Sequence, residues 1–189
     1  MTFEAYRDAL LKIALEQGCE AAEVYAQEST DFSVEVMEQQ IDSYSVSRSL
    51  GLSVRVCLEG KNGYAYTELL EDPELLVERA MDNASCLEAE EPVFLGEGGK
   101  TYRQLPASNV RMPQTDELVS KVLDTQKQLY AADPAVIDGC TTQGVAEKSE
   151  IAIYNSRGLD LHEETLLAGL VVAAVVSDGG EMANDYQIG

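Results

Sequence analysis

Hydrophobic and polar positions repeat along this chain at two different periods. Between residues 2 and 17, Phe3, Tyr6, Leu10, Ile13, Ala14 and Gln17 recur every three or four positions, with Glu4, Arg7, Asp8 and Lys12 between them. That spacing predicts an amphipathic helix, and Gly18 ends it at a position that favours a left-handed backbone. The period then drops to two. Residues 22–29, 32–37 and 41–47 read as strands, the second with Val34 and Val36 on one face and the third with Tyr44 and Val46. Residues 51–58 give the clearest alternation: Leu52, Val54, Val56 and Leu58 are separated by Ser53, Arg55 and Cys57. Such a strand buries one face and wets the other. Glu59-Gly60-Lys61-Asn62-Gly63 carries turn chemistry, because Asn-Gly tolerates positive φ, and residues 64–67 return as a strand.

A second helix opens with Asp72 as N-cap, Pro73 at the first helical position and Glu74 complementing the dipole; Leu76, Ala80, Ala84 and Leu87 mark its buried face. Periodicity lapses over residues 88–114, where acidic, Gly and Pro residues cluster, so this stretch reads as a long solvated connection. Thr115 then caps a third helix with Leu118, Val122, Thr125 and Leu129 on one stripe, ending near Asp133-Pro134. Strands follow over residues 136–148, 150–154 and 161–177, with Asn155-Ser156-Arg157-Gly158 as a turn. The run from Leu166 to Val176 is apolar on both faces; its β-branched content favours a central strand over a buried helix. The fold class is therefore α+β: antiparallel β meanders with three amphipathic helices. The order of segments suits two helix-plus-meander units, residues 1–88 and 115–189 joined by a linker over 89–114, or one continuous sheet covered by all three helices. Residues 178–189 show no closing helix, so the chain reads as one that continues elsewhere.

Charge narrows the function. Lys and Arg number 13 against 34 Asp and Glu, a net charge of −21. Phosphate neutralisation by basic side chains underlies nucleic-acid binding, so no nucleic acid and no anionic membrane surface is expected as a partner. The longest apolar run is too short for a bilayer, which takes about 20 residues. Cys19, Cys57, Cys86 and Cys140 are scattered without a CxxC spacing, and the first residues hold no basic, signal-like stretch. Reduced thiols in a cytoplasmic protein are the natural reading.

The only histidine, His162, is followed by Glu163. A zinc-protease helix would place a second His at 166 or 167, but both positions are Leu. Gly96-Glu97-Gly98-Gly99-Lys100-Thr101 lacks the phosphate-loop spacing and reads as flexible linker. The pairs Glu71/Asp72, Glu90/Glu91 and Glu163/Glu164 read as solvated faces rather than acid–base dyads. Cys57, near Arg55 on one face, is either a thiol of lowered pKa or a quiet strand cysteine. Residue chemistry alone describes an acidic α+β protein without an active site.

The order of several short segments resembles a known family. These are Ala21-Ala22-Glu23-Val24-Tyr25, then Glu35-Val36-Met37-Glu38-Gln39-Gln40-Ile41-Asp42-Ser43-Tyr44, Gly51-Leu52-Ser53-Val54-Arg55-Val56 and Gly60-Lys61-Asn62-Gly63-Tyr64-Ala65-Tyr66-Thr67. Tyr154-Asn155-Ser156-Arg157-Gly158 and Asp178-Gly179-Gly180-Glu181-Met182-Ala183-Asn184-Asp185-Tyr186 follow. Together they resemble the N-terminal part of the TldD/PmbA family, whose members are also labelled modulators of DNA gyrase; the 35–44 segment and the final one are nearer its PmbA (TldE) branch. The resemblance implies a two-subunit, zinc-dependent cytoplasmic peptidase acting on peptides. In it the TldD-type subunit carries a HExxxH zinc motif and the PmbA-type subunit does not. Family chains continue into a C-terminal domain, so residues 1–189 are expected to be an N-terminal domain only. No catalytic and no metal residue carries over. The cofactor, zinc, is expected in a TldD-like partner, and the partners are that subunit, or a second copy in a dimer, and a peptide substrate. Arg55 and Tyr64 are candidate substrate-channel residues, and Gly51, Gly60, Gly63, Asn155 and Gly158 match family turn positions. The rival reading is an acidic protein–protein interaction module, modulating gyrase or a toxin–antitoxin pair without proteolysis.

Overall fold

The computed structural model describes residues 1–88, 95–102 and 111–189. In chain order the elements are α1 (Phe3–Glu16), β1 (Ala21–Met37), β2 (Gln40–Leu58), β3 (Lys61–Thr67), α2 (Pro73–Ser85), α3 (Thr115–Ala132), β4 (Thr141–Asn155), β5 (Asp160–Asp178) and β6 (Glu181–Ile188). The strands form one six-stranded antiparallel sheet in the order β3-β2-β1-β4-β5-β6. This is the expected α+β class with three helices.

The strands are longer than their sequence pattern suggests. Residues 22–29 and 32–37 merge into β1, and residues 41–47 and 51–58 merge into β2. No left-handed residue interrupts either strand. Asp31 instead accepts hydrogen bonds from the Ser29 and Ser47 hydroxyls (3.2 and 3.3 Å), so this polar patch is absorbed within the sheet. The reversals are tight. Glu38-Gln39, Glu59-Gly60 and Gly179-Gly180 each place two successive residues at positive φ, as a two-residue hairpin loop requires. The turn after β2 is therefore Glu59-Gly60 alone, and Asn62-Gly63 belongs to β3. The expected strand over 136–148 begins only at Thr141; Val136 makes a single bridge to Val176, because Pro134 and Gly139 interrupt the ladder. Residues 181–188, unassigned in the sequence reading, return as β6 beside β5. The apolar 166–176 run is a strand, but none of it is fully buried.

Two compact units divide the chain, each assembled from separated stretches. The first comprises Met1–Glu28, Ser49–Pro106 and Glu150–Glu164. Its core joins Tyr6, Leu10 and Ala14 of α1 and Leu76, Val77, Ala80 and Ala84 of α2 with Ala22 and Val24 of β1 and Leu52, Val54 and Val56 of β2. Each fully buried Val or Leu here contributes about 1.5–3 kcal/mol. Tyr6 is wholly buried, and its hydroxyl donates to the Glu71 carbonyl at 2.9 Å, tying α1 to the start of α2. Caps act where the sequence places them. The Asp72 carboxylate accepts from Leu75 N–H at 3.2 Å, and Gly18 ends α1 with φ +92°. Leu87, expected on the buried face, is exposed because α2 ends at Ser85. Gly63 faces α2 so closely that a Cβ there would lie 1.8 Å from the Ala80 carbonyl oxygen.

The second unit comprises Ser29–Arg48, Ala107–Ser149 and Thr165–Gly189. Phe32, Val34, Val36 and Ala146 pack against Leu118 and Val122 of α3. The helix is capped one residue earlier than expected. Gln114 N–H donates to the Glu117 carboxylate (3.0 Å), which Arg111 also grips at 2.8 Å. Hydrogen bonds from Arg111 first, and from the Gln114 N–H next, hold the Glu117 pKa down at about 2. The third buried position of α3 is Gln126 rather than Thr125 or Leu129. Its amide oxygen accepts from Gln39 N–H at 2.6 Å, and its amide nitrogen donates to the carbonyls of Val36 (2.7 Å) and Cys140 (3.2 Å). The hairpin at Glu38-Gln39 contains no glycine, and this side chain supplies its support.

Two outcomes follow for stability, both read by chemical denaturation. Gly63→Ala should destabilise by about 1–3 kcal/mol or more, since helix backbone has to move. Gly51→Ala should cost less, because the atoms nearest its new methyl belong to the exposed Tyr66 side chain, which can shift, rather than to backbone. Gln126→Leu should cost about 2 kcal/mol or more, by stranding one N–H and two carbonyls.

Candidate functional site

The alternation of β2 sends Leu52, Val54 and Val56 toward the helices and leaves Arg55 and Cys57 on the opposite face. Arg55 lies opposite Tyr64 in the β2–β3 register, and Cys57 lies opposite Asn62. Several of the residues singled out from sequence meet here within the first unit. Arg55 Nε donates to Asn62 Oδ1 at 3.1 Å, and its Nη1 stands 3.6 Å from Glu23 Oε1. The second Glu23 oxygen accepts from Asn155 Nδ2 at 3.3 Å. The guanidinium carbon lies 5.8 Å from the centre of the Tyr64 ring. The Arg55 and Glu23 side chains retain only 16% and 20% of their exposure, so the pair is largely removed from water and loss of either partner would strand a charge.

Asn155 organises the next layer. Its Oδ1 accepts from the N–H groups of Arg157 (2.9 Å) and Leu159 (3.1 Å), shaping the β4–β5 turn, and its Nδ2 also donates to the Gly96 carbonyl at 2.9 Å. Gly98 N–H donates to the Arg157 carbonyl at 3.1 Å. A Cβ on Gly98 would lie 2.0 Å from the Gly158 oxygen. The Gly96-to-Thr101 stretch, expected as flexible linker, is thus fastened at Gly96 and Gly98 to the Asn155–Gly158 turn. Of the expected linker over 89–114, residues 89–94 and 103–110 lie outside the described residues.

The remaining candidates fall as follows. Gly60 and Gly158 occupy turns at positive φ (+75° and +79°), and Asn155 closes β4. Gly51 and Gly63 lie inside strands; what each serves is close approach, Gly51 under the Tyr66 ring and Gly63 against α2. Tyr64 is half exposed and, with Ala65 and Tyr66, lines an open groove shared with Arg79, Asp82 and Asn83 of α2. Asn83 Nδ2 donates to the Tyr64 carbonyl at 2.8 Å, covering part of the β3 edge. Sequence reading missed Glu23, Asn62 and Asn83 as members of this cluster. Their signal was the placement of Glu23 on the polar face of β1, legible only once β1 and β2 are adjacent.

Cys57 is not an activated nucleophile. The Cys57 thiol is pushed up from its ordinary pKa, by burial first and by the Glu20 carboxylate next, which accepts its hydrogen bond at 3.6 Å. That removes the lowered-pKa reading. The donor set also fails to fit a zinc centre: His162 is an exposed residue of β5, and among the described residues no three His, Cys, Asp or Glu side chains gather for a metal. No helix among the described residues is long and apolar enough to cross a membrane. On alkylation by iodoacetamide at pH 7.5, exposed Cys86 should react well before Cys57, and Glu20→Gln should accelerate Cys57; mass spectrometry of the labelled peptides reads both.

Comparison with known proteins gives a consistent picture. Residues 22–84 match the family model described as PmbA/TldA metallopeptidase domain 1, and residues 109–189 match the PmbA/TldA metallopeptidase central domain. No curated protein sequence matches the chain. Among solved structures, a protein from Thermotoga maritima described as a candidate modulator of a DNA gyrase superposes with TM-score 0.85 at 24% identity, over 99% of this chain and 43% of that one. TldE from Thermococcus kodakarensis gives 0.81 at 23% identity, over 97% and 42%. A further candidate gyrase modulator, from Bacteroides thetaiotaomicron, gives 0.81 at 16% identity, over 98% and 44%. The chain thus spans less than half the length of each, and at these identities the likeness concerns the fold. With the two domain models together spanning most of its length, the chain belongs to the PmbA/TldD family.

Proposed function

We propose that this chain is the N-terminal part of a PmbA/TldE-like, non-catalytic subunit of a zinc-dependent cytoplasmic peptidase complex. Its work is assembly with a TldD-like subunit, or with a second copy, and enclosure of a peptide substrate. Zinc and general base come from the TldD-type partner. The observation that carries this reading is the match to two metallopeptidase domain models, together with the 35–44 and 178–186 segments that are nearer the PmbA (TldE) branch. The Arg55–Tyr64 face supports a binding role. It offers a half-exposed aromatic ring over a guanidinium already held in place, next to an open groove. Arg55 contributes as a fixed part of the wall, since Glu23 and Asn62 occupy two of its nitrogens.

A second reading, an acidic protein–protein interaction module without a peptidase role, is favoured by the net charge of −21. Both are tested by measuring zinc content and peptide cleavage for the longer protein alone, for a TldD-type partner alone and for their mixture. The helper reading expects cleavage only in the mixture, with zinc in the partner. Zinc and cleavage in this protein by itself would overturn it. Capture of a basic protein that weakens steeply with salt, with no cleavage in the mixture, would favour the interaction module.

A further inference from the structure

The cluster around Arg55 contains more hydrogen-bond donors than acceptors. Arg55 directs Nε at Asn62 Oδ1 and Nη1 at Glu23, while its Nη2 is shut off from solvent and has no partner among the described residues. Asn62 is 8% exposed; its Oδ1 is taken by Arg55, and its Nδ2 is equally buried and equally without a partner. The two unpartnered nitrogens therefore belong to side chains joined by one 3.1 Å hydrogen bond. Buried donors left unmade are costly, and neither group can act as an acceptor for the other.

Charge selects what satisfies them. Glu23 already balances Arg55, so a carboxylate entering here would bury a second negative charge beside it, in a chain whose net charge is −21. A neutral oxygen adds hydrogen bonds without that penalty. Tyr64 lies directly opposite Arg55 in the register, half exposed, with its ring centre 5.8 Å from the guanidinium carbon, which makes it the side chain nearest at hand to shield such an oxygen. We propose that Arg55 Nη2 and Asn62 Nδ2 form a binding site for one neutral acceptor oxygen beneath Tyr64. An ordered water and the main-chain carbonyl of an extended peptide share this chemistry; the second source rests on the peptide-enclosing function proposed above.

The test combines a high-resolution crystal structure of the chain with NMR detection of the Arg55 Nε–H and Asn62 Nδ2–H signals. The titrant is acetyl-tetraalanine amide, a peptide neutral at both ends. A single oxygen within hydrogen-bond distance of both donors, unmoved by peptide, establishes the site with water as its source. Peptide-dependent shifts of both signals, with affinity falling at least tenfold in Asn62→Asp, establish the carbonyl as the source. In that variant a carboxylate replaces the donor and can satisfy Arg55 itself. If Asn62→Asp does not fold, Tyr64→Ala keeps both donors and should speed solvent exchange of the Arg55 guanidinium protons at least tenfold. Absence of any oxygen together with unresponsive signals overturns the proposal. Peptide binding that shifts other residues and leaves these two still also overturns it, while sparing the peptide-enclosing function. Water in the site with no peptide binding anywhere on the longer protein sustains the site and removes that function instead.

Discussion

The two-residue period of β2 is the constraint on which the candidate site depends. Leu52, Val54 and Val56 are wholly buried among α1, α2 and β1, and a slip of one residue would send all three to the other face. With that register held by burial, Arg55 and Cys57 have to emerge opposite the helices. There β3 presents Tyr64 and Asn62, and β1 presents Glu23. The polar network is thus a by-product of apolar packing on the far side of the same strands. Its geometry is as well defined as the core because it shares the core's backbone.

Close approach of backbone to backbone is a second recurring device. Gly63 lets α2 settle directly on β3, and Gly98 lets an extended segment cross the turn at Gly158. Both glycines read from sequence as markers of turns or flexibility, since Gly-rich stretches usually are. The physical need is different: absence of a side chain, not freedom of φ. Among the turns themselves, Glu38-Gln39 is the instructive case. Two non-glycine residues hold positive φ there, and the Gln126 amide from α3 meets Gln39 N–H and the Val36 carbonyl. A buried glutamine on an otherwise apolar stripe repays its desolvation by making three hydrogen bonds.

These features bear on function through preorganisation. A guanidinium gripped by Glu23 and Asn62, backed by Asn155 and the Gly96 carbonyl, loses little conformational freedom on meeting a ligand. The exposed Tyr64 and Tyr66 rings beside it add aromatic contact area. The raised pKa of the neighbouring Cys57 thiol leaves that residue a quiet part of the same face.

The sequence by itself determined the fold class, the three helices, the caps at Asp72 and Gly18, the alternation of β2 and, through ordered short segments, the family. These are local signals: a helix or strand period, a cap or a segment order needs no knowledge of distant residues. The chain also announced Arg55, Tyr64 and Asn155 individually, but not their company. Only the tertiary structure decided that Glu23, Arg55, Asn62 and Asn155 form one network, because sequence separations of 7 to 132 residues close only when the strands pair. It likewise decided that the strands run unbroken past Asp31, that Gly98 is fastened rather than free, and that Gln126 belongs in the interior. In each case a distant backbone group, absent from any local window, supplies the partner that turns a polar or flexible residue into a structural one.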